Sequence, residues 1–347
     1  MDARSSNRES TLHRAACLAL AAGVALASHA SAGGKEKFCT DTARTLFAAC
    51  KAGVDDDTLV AKAVCTNVSD AAQRNVCLEQ ARADRADAKQ LCAGQRTTRL
   101  DTCKVLGEGR YDPVIDPAAF DDPKAPTKPN PYFPIAVTNR WEYRAGNEVD
   151  VVEIVNETKL IAGVHCIVAR DLVSRDGALA EATDDWYCPA KNGDVWYFGE
   201  ETAESEVFPG DDPQRPEVVN VDGSFKAGRN GDKPGIIFLA SPKVGDVYVE
   251  EASLANAEDV TEILATNYSY GSGAPELDEL VPPELAATFC AGDCVVTKNF
   301  SLLEPGIFAR KYYAPGIGVF LEVEPDEQKA VRLVSCNFDS RCATLTP

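Results

Sequence analysis

The chain has 347 residues, and its 54 acidic side chains against 35 basic ones give a formal net charge of −19. This balance disfavours nucleic acids and anionic lipid surfaces as partners, because both kinds of binding depend on Lys and Arg neutralising negative charge. We therefore predict no nucleic-acid partner. A small molecule or a protein is the expected partner.

The first 32 residues have the pattern of a cleavable secretory signal. Arginines precede an apolar run from Ala15 to Ala27, and Ala30-Ser31-Ala32 forms an A-x-A cleavage site. We predict that the mature chain starts at Gly33 and is secreted or periplasmic. No later stretch reaches the roughly 18 apolar residues that a membrane helix needs, so no membrane span is expected.

Twelve cysteines follow the predicted signal, and an even number in an exported chain indicates disulfides. Zinc binding would favour C-x2-C pairs, which the sequence lacks. The predicted disulfide cysteines are Cys39, Cys50, Cys65, Cys77, Cys92, Cys103, Cys166, Cys188, Cys290, Cys294, Cys336 and Cys342.

The first six of these cysteines are spaced 11, 15, 12, 15 and 11 residues apart, which is a palindrome. Among the 15 possible connectivities, only the nested one places every pair at matching heights on two equal antiparallel arms. That connectivity joins Cys39 to Cys103, Cys50 to Cys92 and Cys65 to Cys77. We predict a stapled hairpin over residues 33–106.

The two arms are predicted to be helices over residues 38–54 and 71–105, because both are rich in good helix formers and lack proline. Ser69 is expected to cap the second helix, with Asp70 in its first turn. Cys65 lies about 60° off the face that carries Cys50, so we expect a bend near residues 53–58 to correct the drift.

Residues 107–134 contain seven prolines and are predicted to form an extended linker. Residues 135–347 then carry turn dipeptides such as Asn192-Gly193, separated by short runs of β-branched and aromatic residues. The predicted strands cover 140–145, 149–161, 165–175, 179–189, 194–206, 236–240, 246–253, 259–269, 294–302, 307–314, 317–324 and 330–336.

The predicted fold class is therefore α+β: a disulfide-stapled N-terminal α-helical hairpin followed by an antiparallel β meander. One-sided apolar patterns require the meander to form a barrel, a half-barrel or a sandwich. In residues 317–324 the alternation places Ile317, Val319, Leu321 and Val323 on the buried face, with Glu322 and Glu324 on the other.

The remaining cysteines are assigned to the β domain. Cys166 and Cys188 lie at equal distances from Gly177, which predicts a cross-strand disulfide. Cys290, Cys294, Cys336 and Cys342 are expected to close two small loops, although they permit three connectivities.

Two segments resemble secreted bacterial β-rich proteins of unassigned function. They are residues 130–134, Asn-Pro-Tyr-Phe-Pro, leading to Trp141-Glu142-Tyr143, and residues 311–318, Lys-Tyr-Tyr-Ala-Pro-Gly-Ile-Gly. In those proteins a Tyr-Ala-x-Gly-x-Gly stretch often lies in the closing strand pair, and some related lipoprotein carriers form half-barrels around a lipid. The resemblance covers the β domain only and implies a curved sheet around an apolar ligand.

The sequence offers little catalytic chemistry. His165 is the only histidine after the predicted signal, and no Gly-x-Ser-x-Gly elbow accompanies it. We interpret it as a surface or capped strand residue and assign no catalytic residue. A carboxylate-based hydrolase is the alternative, with Asp184-Asp185-Trp186 as its candidate, and it would require two acids converging in one cleft.

No metal site or cofactor is assigned. The acidic runs, such as Asp55-Asp56-Asp57 and Asp121-Asp122, do not fit the twelve-residue calcium loop. Weak calcium binding outside that motif is kept as an alternative, and with it a structural role in cation-dependent association at the cell surface or in a matrix.

Aromatic residues are the candidates for ligand binding. Neighbouring residues of a strand face opposite ways, so each Trp-Tyr pair places one ring inward and one outward. The predicted ligand-binding residues are Trp141, Trp186, Trp196 and Tyr312. We expect a non-catalytic protein whose β domain binds a small or apolar ligand or a partner. A filled interior with no cavity above about 300 Å³ would count against the ligand.

Overall fold

The computed structural model describes residues 36–345 of the chain. The predicted signal and its cleavage site lie outside these residues. The described part begins with two long helices, α1 over Phe38–Thr66 and α2 over Ala71–Leu106. Helix α1 continues through residues 53–58, where the sequence predicted a bend.

Three disulfides join the two helices as the palindromic spacing predicts: Cys39–Cys103, Cys50–Cys92 and Cys65–Cys77. The predicted cap of α2 is wrong by one residue. Asp70 is the N-cap, and its Oδ1 accepts a hydrogen bond from the Gln73 backbone N–H at 2.8 Å. The Asp70 side chain reaches that N–H because Asp70 itself adopts the extended conformation that an N-cap requires.

The β domain is one antiparallel sheet of fourteen strands. Twelve follow the predicted strands closely, whereas β6 and β7 were not predicted. The strands are β1 Arg140–Ala145, β2 Glu148–Ile161, β3 Val164–Arg175, β4 Ala178–Pro189, β5 Val195–Glu206, β6 Glu217–Asn220, β7 Phe225–Lys226, β8 Gly235–Phe238, β9 Val247–Val249, β10 Asp259–Tyr268, β11 Cys294–Ser301, β12 Ala309–Ala314, β13 Gly318–Glu324 and β14 Lys329–Cys336.

The strand order is β6-β5-β4-β3-β2-β1-β14-β13-β12-β11-β10-β9, with β7 and β8 paired to β5. Strand β1 pairs with β14, so the first and last strands of the meander meet in the middle of the sheet. The sheet is strongly curved, but in the described part of the chain no strand pairing joins β9 to the other end of this order, so the sheet is not closed into a barrel. The fold class predicted from the sequence is confirmed, with an open, curved sheet as its β part.

The two ends of the sheet meet along a line that we call the seam, formed by residues 223–235 on the β5 side and residues 249–257 on the β9 side. The seam has few backbone hydrogen bonds, such as Lys233 N–H to Ala252 O at 3.0 Å. Gly235 lies against the Glu250 backbone so closely that a Cβ there would come within 2.1 Å of the Glu250 oxygen. A glycine is therefore required at this position of the seam.

Both faces of the sheet are buried over much of its area, contrary to the predicted single buried face. The outer face of β10–β13 is covered by two short helices, α3 over Pro275–Asp278 and α4 over Pro283–Phe289, whose Leu277 and Phe289 join the core. The outer face of β3–β5 is covered by the part of the linker around Phe120, whose ring contacts Trp196 and Phe198. The proline-rich segment therefore packs along the sheet.

The alternation predicted for residues 317–324 is confirmed from Leu321 to Val323 but is wrong for Val319, because a register shift interrupts it. Tyr312 pairs with Leu321, but Tyr313 pairs with Val319, so one extra residue is accommodated at Phe320. Val319 and Glu322 consequently face the concave side together. A bulge of this kind reverses the faces of all residues beyond it.

The remaining disulfides are Cys166–Cys188, Cys290–Cys294 and Cys336–Cys342. The last two close the two small loops expected from the sequence. Within residues 36–345, no helix combines the length and the apolar character needed to cross a membrane.

Candidate functional site

The concave side of the sheet encloses a cavity of about 200 Å³ that is open to solvent. Its walls combine aromatic and aliphatic side chains with three charged ones. The lining residues are Phe133, Pro134, Ile135, Trp141, Tyr143, Asp150, Val152, Ile154, Ala169, Tyr187, Ile237, Lys311, Tyr313, Gly318, Val319, Glu322 and Val331.

The size of this cavity limits its ligands. Pockets for drug-sized molecules measure roughly 300–1,000 Å³, and this one is about 200 Å³. This cavity is smaller than the 300 Å³ expected of a ligand pocket, which counts against a drug-sized ligand here. The space suits a small molecule and does not fit the lipid that the resemblance to lipoprotein carriers implied.

Of the four aromatic residues predicted to bind a ligand, Trp141 lines the cavity. Its ring is 6% exposed, and its indole N–H donates to the Ile317 carbonyl oxygen at 2.8 Å. That hydrogen bond fixes the ring against the closing turn between β12 and β13.

The other three predicted residues lie on the outer face. Trp186 is buried there with the Lys159 ammonium 3.5 Å from its ring centroid, and Trp196 packs on Phe120. Tyr312 is fully buried and donates from its hydroxyl to the Leu277 carbonyl oxygen at 2.6 Å. Their chain neighbours Tyr187, Tyr197 and Tyr313 occupy the concave side instead.

Asp150 and Asp171 form the first of several acidic groups on the concave side. They lie on neighbouring strands, β2 and β3, and each has one buried carboxyl oxygen without a hydrogen-bond donor. Burial raises the pKa of Asp150 to about 6, and burial together with the Asp150 charge raises the pKa of Asp171 to about 9. The two carboxyls hydrogen-bond to each other when one of them holds a proton.

Asp185, Tyr197 and Glu200 form the second group. The Tyr197 hydroxyl oxygen lies 2.5 Å from Asp185 Oδ1 and 2.9 Å from Glu200 Oε2. A phenol has one proton to donate, so both contacts are hydrogen bonds only when one carboxyl is protonated and donates to the phenol oxygen. Burial raises the pKa of Asp185 to about 7 and that of Glu200 to about 8, which fits this shared proton.

Glu250, Glu251 and Asp259 form the third group, next to the seam. Glu250 accepts hydrogen bonds from the Thr261 hydroxyl and, at 2.7 Å, from the Asn299 amide. Burial raises the pKa of all three carboxyls. The concave side therefore carries three acidic groups contributed by both halves of the sheet.

Lys311 is the cation among these acids. It lies on β12 opposite Glu322 on β13, with 3.9 Å between its Nζ and Glu322 Oε2, and 27% of its side chain is exposed. Burial alone would lower the pKa of Lys311, but the charges of Glu322 and Glu250 raise it. The amine is therefore charged at physiological pH and balances part of the surrounding negative charge.

The remaining candidates from the sequence lie away from the cavity. His165 is exposed on β3. Asp184 points outward and accepts hydrogen bonds from the Arg170 guanidinium at 2.8 and 3.2 Å, so the Asp184–Asp185 pair is divided between two faces. Asp55 pairs with Arg85 at 2.6 Å. Within the described residues, no group of three or more His, Cys, Asp or Glu side chains is arranged to hold a metal ion.

Sequence reasoning named Asp185 but missed the other interior acids, because adjacent acidic residues are common in this chain. A usable signal was nevertheless present in the strand pattern. Asp150, Asp171 and Asp185 each occupy positions where alternation from neighbouring buried residues predicts an inward side chain. An inward-pointing acid on a predicted strand is unusual enough to mark a candidate site.

Comparison with known proteins gives little further information. No protein-family model matches the chain, and no curated protein matches it. Among solved structures, the chain is similar to a candidate lipoprotein from Parabacteroides distasonis, with 11% identity and a TM-score of 0.30. The similarity covers 61% of this chain and all of that one.

Proposed function

We propose that the β domain is a non-catalytic binding module that takes a small, partly apolar cation into its concave cavity. The observation that carries the proposal is the composition of the wall, where aromatic rings and carboxyl groups surround one open cavity. Aromatic faces attract cations through their quadrupole, and carboxylates attract them directly. A small organic amine fits both the chemistry and the volume.

The charges near the cavity favour a cation over an anion. Lys311 is the single positive side chain among the lining residues, whereas Asp150 and Glu322 are acidic and Asp171 lies next to Asp150. Lys311 is already surrounded by carboxylates, so an incoming anion would meet more repulsion than attraction. An ammonium group, by contrast, could replace the proton that Asp150 and Asp171 share.

Calorimetric titration with three ligands of equal size tests the proposal: benzylamine, benzyl alcohol and benzoate. We expect benzylamine to bind at least tenfold more tightly than benzyl alcohol, and benzoate not to bind. Asp150→Asn should weaken benzylamine binding about tenfold or more, because a charged partner contributes roughly 1.5–3 kcal/mol. Glu157→Gln, an exposed position of the same strand, is the matched control.

Equal binding of the amine and the alcohol would favour an apolar ligand and contradict the cation proposal. The absence of binding by all three compounds would contradict the binding module itself. Unchanged binding by the Asp150→Asn variant would place the ligand elsewhere on the protein.

A carboxylate-based hydrolase is supported less well. Glycoside hydrolysis needs two carboxyls with space for a sugar bond between them, at roughly 5–9.5 Å. Asp185 and Glu200 instead contact a single hydroxyl, and Asp185 is 8% exposed. This arrangement leaves no room for a substrate between the two acids.

An extracytoplasmic location, secreted or periplasmic, forms part of the proposal. Six disulfides in one chain support it, because cytosolic thiols are kept reduced. Mass mapping of the non-reduced protein purified from its source should find all six, and free thiols at these positions would contradict this location.

A further inference from the structure

Buried acids from both ends of the sheet lie at or next to the seam. We call this set the seam carboxyls: Asp185 and Glu200 from β4 and β5, and Glu250, Glu251 and Asp259 from the β9–β10 side. Glu251 has as its charged neighbours Asp259 and Glu250 on its own side and Glu200 and Asp185 on the opposite side. The two ends of the sheet therefore meet at like charges.

The cations near these groups are too few to neutralise them. Lys311 of β12 faces Asp185, Glu250 and Asp259, and it also faces Glu322 of β13. The other titratable neighbours are acids or phenols: Asp171 of β3, Glu181 of β4, Tyr187 of β4, Tyr197 of β5, Tyr313 of β12 and Glu258 before β10. Glu258 itself is paired with Arg99.

The hydrogen bonds at the seam require protons on some of these carboxyls. Tyr197 contacts Asp185 and Glu200 at the same time, and only a protonated acid can complete the second bond. The direct links across the seam are otherwise sparse, such as Asn256 Nδ2 to Ser224 O at 3.1 Å and Ser253 Oγ to Asp232 Oδ1 at 2.9 Å. A buried apolar cluster that contains Phe225, Phe238, Tyr248 and Ala257 also spans the seam, so these contacts and the shared protons together oppose the charge repulsion.

We propose that the seam is a proton-dependent closure, which stays shut while the seam carboxyls share protons and opens as they ionise. Opening separates the β8 and β9 ends of the sheet and exposes the concave side. The proton stabilises the closed form, because a buried carboxylate without a cationic partner is less stable than one in water, and water reaches these groups when the seam opens.

The direction of the pH effect follows from the raised pKa values. A carboxyl whose pKa is higher in the closed form binds its proton more tightly there, so closure is complete at low pH and is lost as the pH rises through the closed-form pKa. For Asp185 and Glu200 these values are about 7 and about 8. For each proton released on opening, the equilibrium constant for opening of the seam rises by up to about tenfold per pH unit.

Hydrogen exchange of the ligand-free protein at pH 6 and pH 9, with times scaled for the intrinsic rate, tests this closure. We expect amides in residues 223–235 and 247–257 to lose protection about tenfold or more at pH 9. Amides of the β12–β13 pair should not change. The result does not depend on the proposed ligand, because no ligand is present.

Two variants decide whether the carboxyls are responsible. Glu200→Gln combined with Glu251→Gln, which cannot ionise, should keep most of the protection at pH 9. Glu201→Gln, at the adjacent position with 76% of its side chain exposed, should behave like the wild type. Asp185→Asn is a second test should the double variant fail to fold.

Constant protection of the seam between pH 6 and pH 9 in the wild type would overturn the proposal. So would a loss of protection in the Gln double variant, or in Asp185→Asn, equal to that of the wild type.

Discussion

Lys311 is the single positively charged side chain among the residues that line the cavity. Its amine faces Glu322 across two strands, and Glu250 and Asp259 are among its other charged neighbours. Removal of this charge would leave those acids without a counter-ion in a partly buried place. The contribution of Lys311 to stability therefore grows with the number of these neighbouring acids that are ionised.

We predict that Lys311→Met lowers the free energy of unfolding by roughly 1–3 kcal/mol at pH 8 and by less at pH 5. The difference arises because protonated acids at pH 5 do not need a counter-ion, whereas those ionised at pH 8 do. Urea denaturation at both pH values measures the effect.

Lys311→Arg keeps the charge and is the control for this substitution. An equal loss at the two pH values would indicate that the lysine contributes by packing alone.

At the scale of the elements, the helical hairpin is held together mainly by covalent links. The buried residues of α1 are Ala43, Val54, Thr58 and Cys65, and those of α2 are Ala81, Cys92, Arg99, Thr102 and Cys103. Few of these are large apolar side chains, so hydrophobic burial contributes little between the helices. Disulfides supply the stability that a core of this size cannot provide.

Replacement of Cys50 and Cys92 by Ala should destabilise the protein by about 4 kcal/mol, against about 2 kcal/mol for replacement of Cys290 and Cys294. The reason is the length of chain each bond closes, 42 residues in the first case and 4 in the second. Thermal unfolding followed by far-UV circular dichroism compares the two variants. A larger loss from the short loop would contradict the argument from loop closure.

The strands show how local irregularities set the composition of the cavity. The bulge opposite Tyr312 and Tyr313 turns Glu322 toward the concave side, next to Lys311. Without that one extra residue, the acid would lie on the outer face under α3 and α4. The pairing of Lys311 with Glu322 therefore depends on the register of two strands.

At the scale of the whole molecule, one ion pair connects the hairpin to the sheet. Arg99 of α2 donates two hydrogen bonds to Glu258, at 2.8 and 2.7 Å, and both side chains are about 95% buried. The Gln95 amide adds a hydrogen bond to the Leu303 carbonyl oxygen at 2.9 Å. The hairpin is thus fixed against the β9–β11 side of the sheet.

Arg99→Ala should lower the free energy of unfolding by about 3–5 kcal/mol, because it leaves the Glu258 carboxylate buried without its partner. Arg99→Met combined with Glu258→Leu should recover most of that loss, since it removes both charges. Chemical denaturation measures both variants, with the exposed Arg82→Ala as control. A cost below 1 kcal/mol for Arg99→Ala would show that the pair does not anchor the hairpin.

Much of the fold could be predicted because its determinants are local. The palindromic cysteines specify two antiparallel rods, since each pair must lie within reach of a disulfide. Turn dipeptides and runs of β-branched residues specify the strands from β1 to β5 in the same way.

The contents of the cavity could not be predicted, because they depend on which face of each strand lies inside. Trp186 and Tyr187 alternate perfectly in the sequence, and either could face the ligand until the curvature of the sheet is known. Linker residues and α3 cover the outer face with apolar contacts, so an apolar residue does not mark the inside.

The amino-acid sequence by itself determined the elements, the cysteine pairing and the order of hairpin and meander, because these depend on spacing along one chain. Tertiary structure alone decided that acids from β2, β3, β4, β5, β10 and the segment after β9 meet inside the curved sheet. Their shifted pKa values arise from burial and from neighbours distant in the chain, and both exist only after the two ends of the sheet have met.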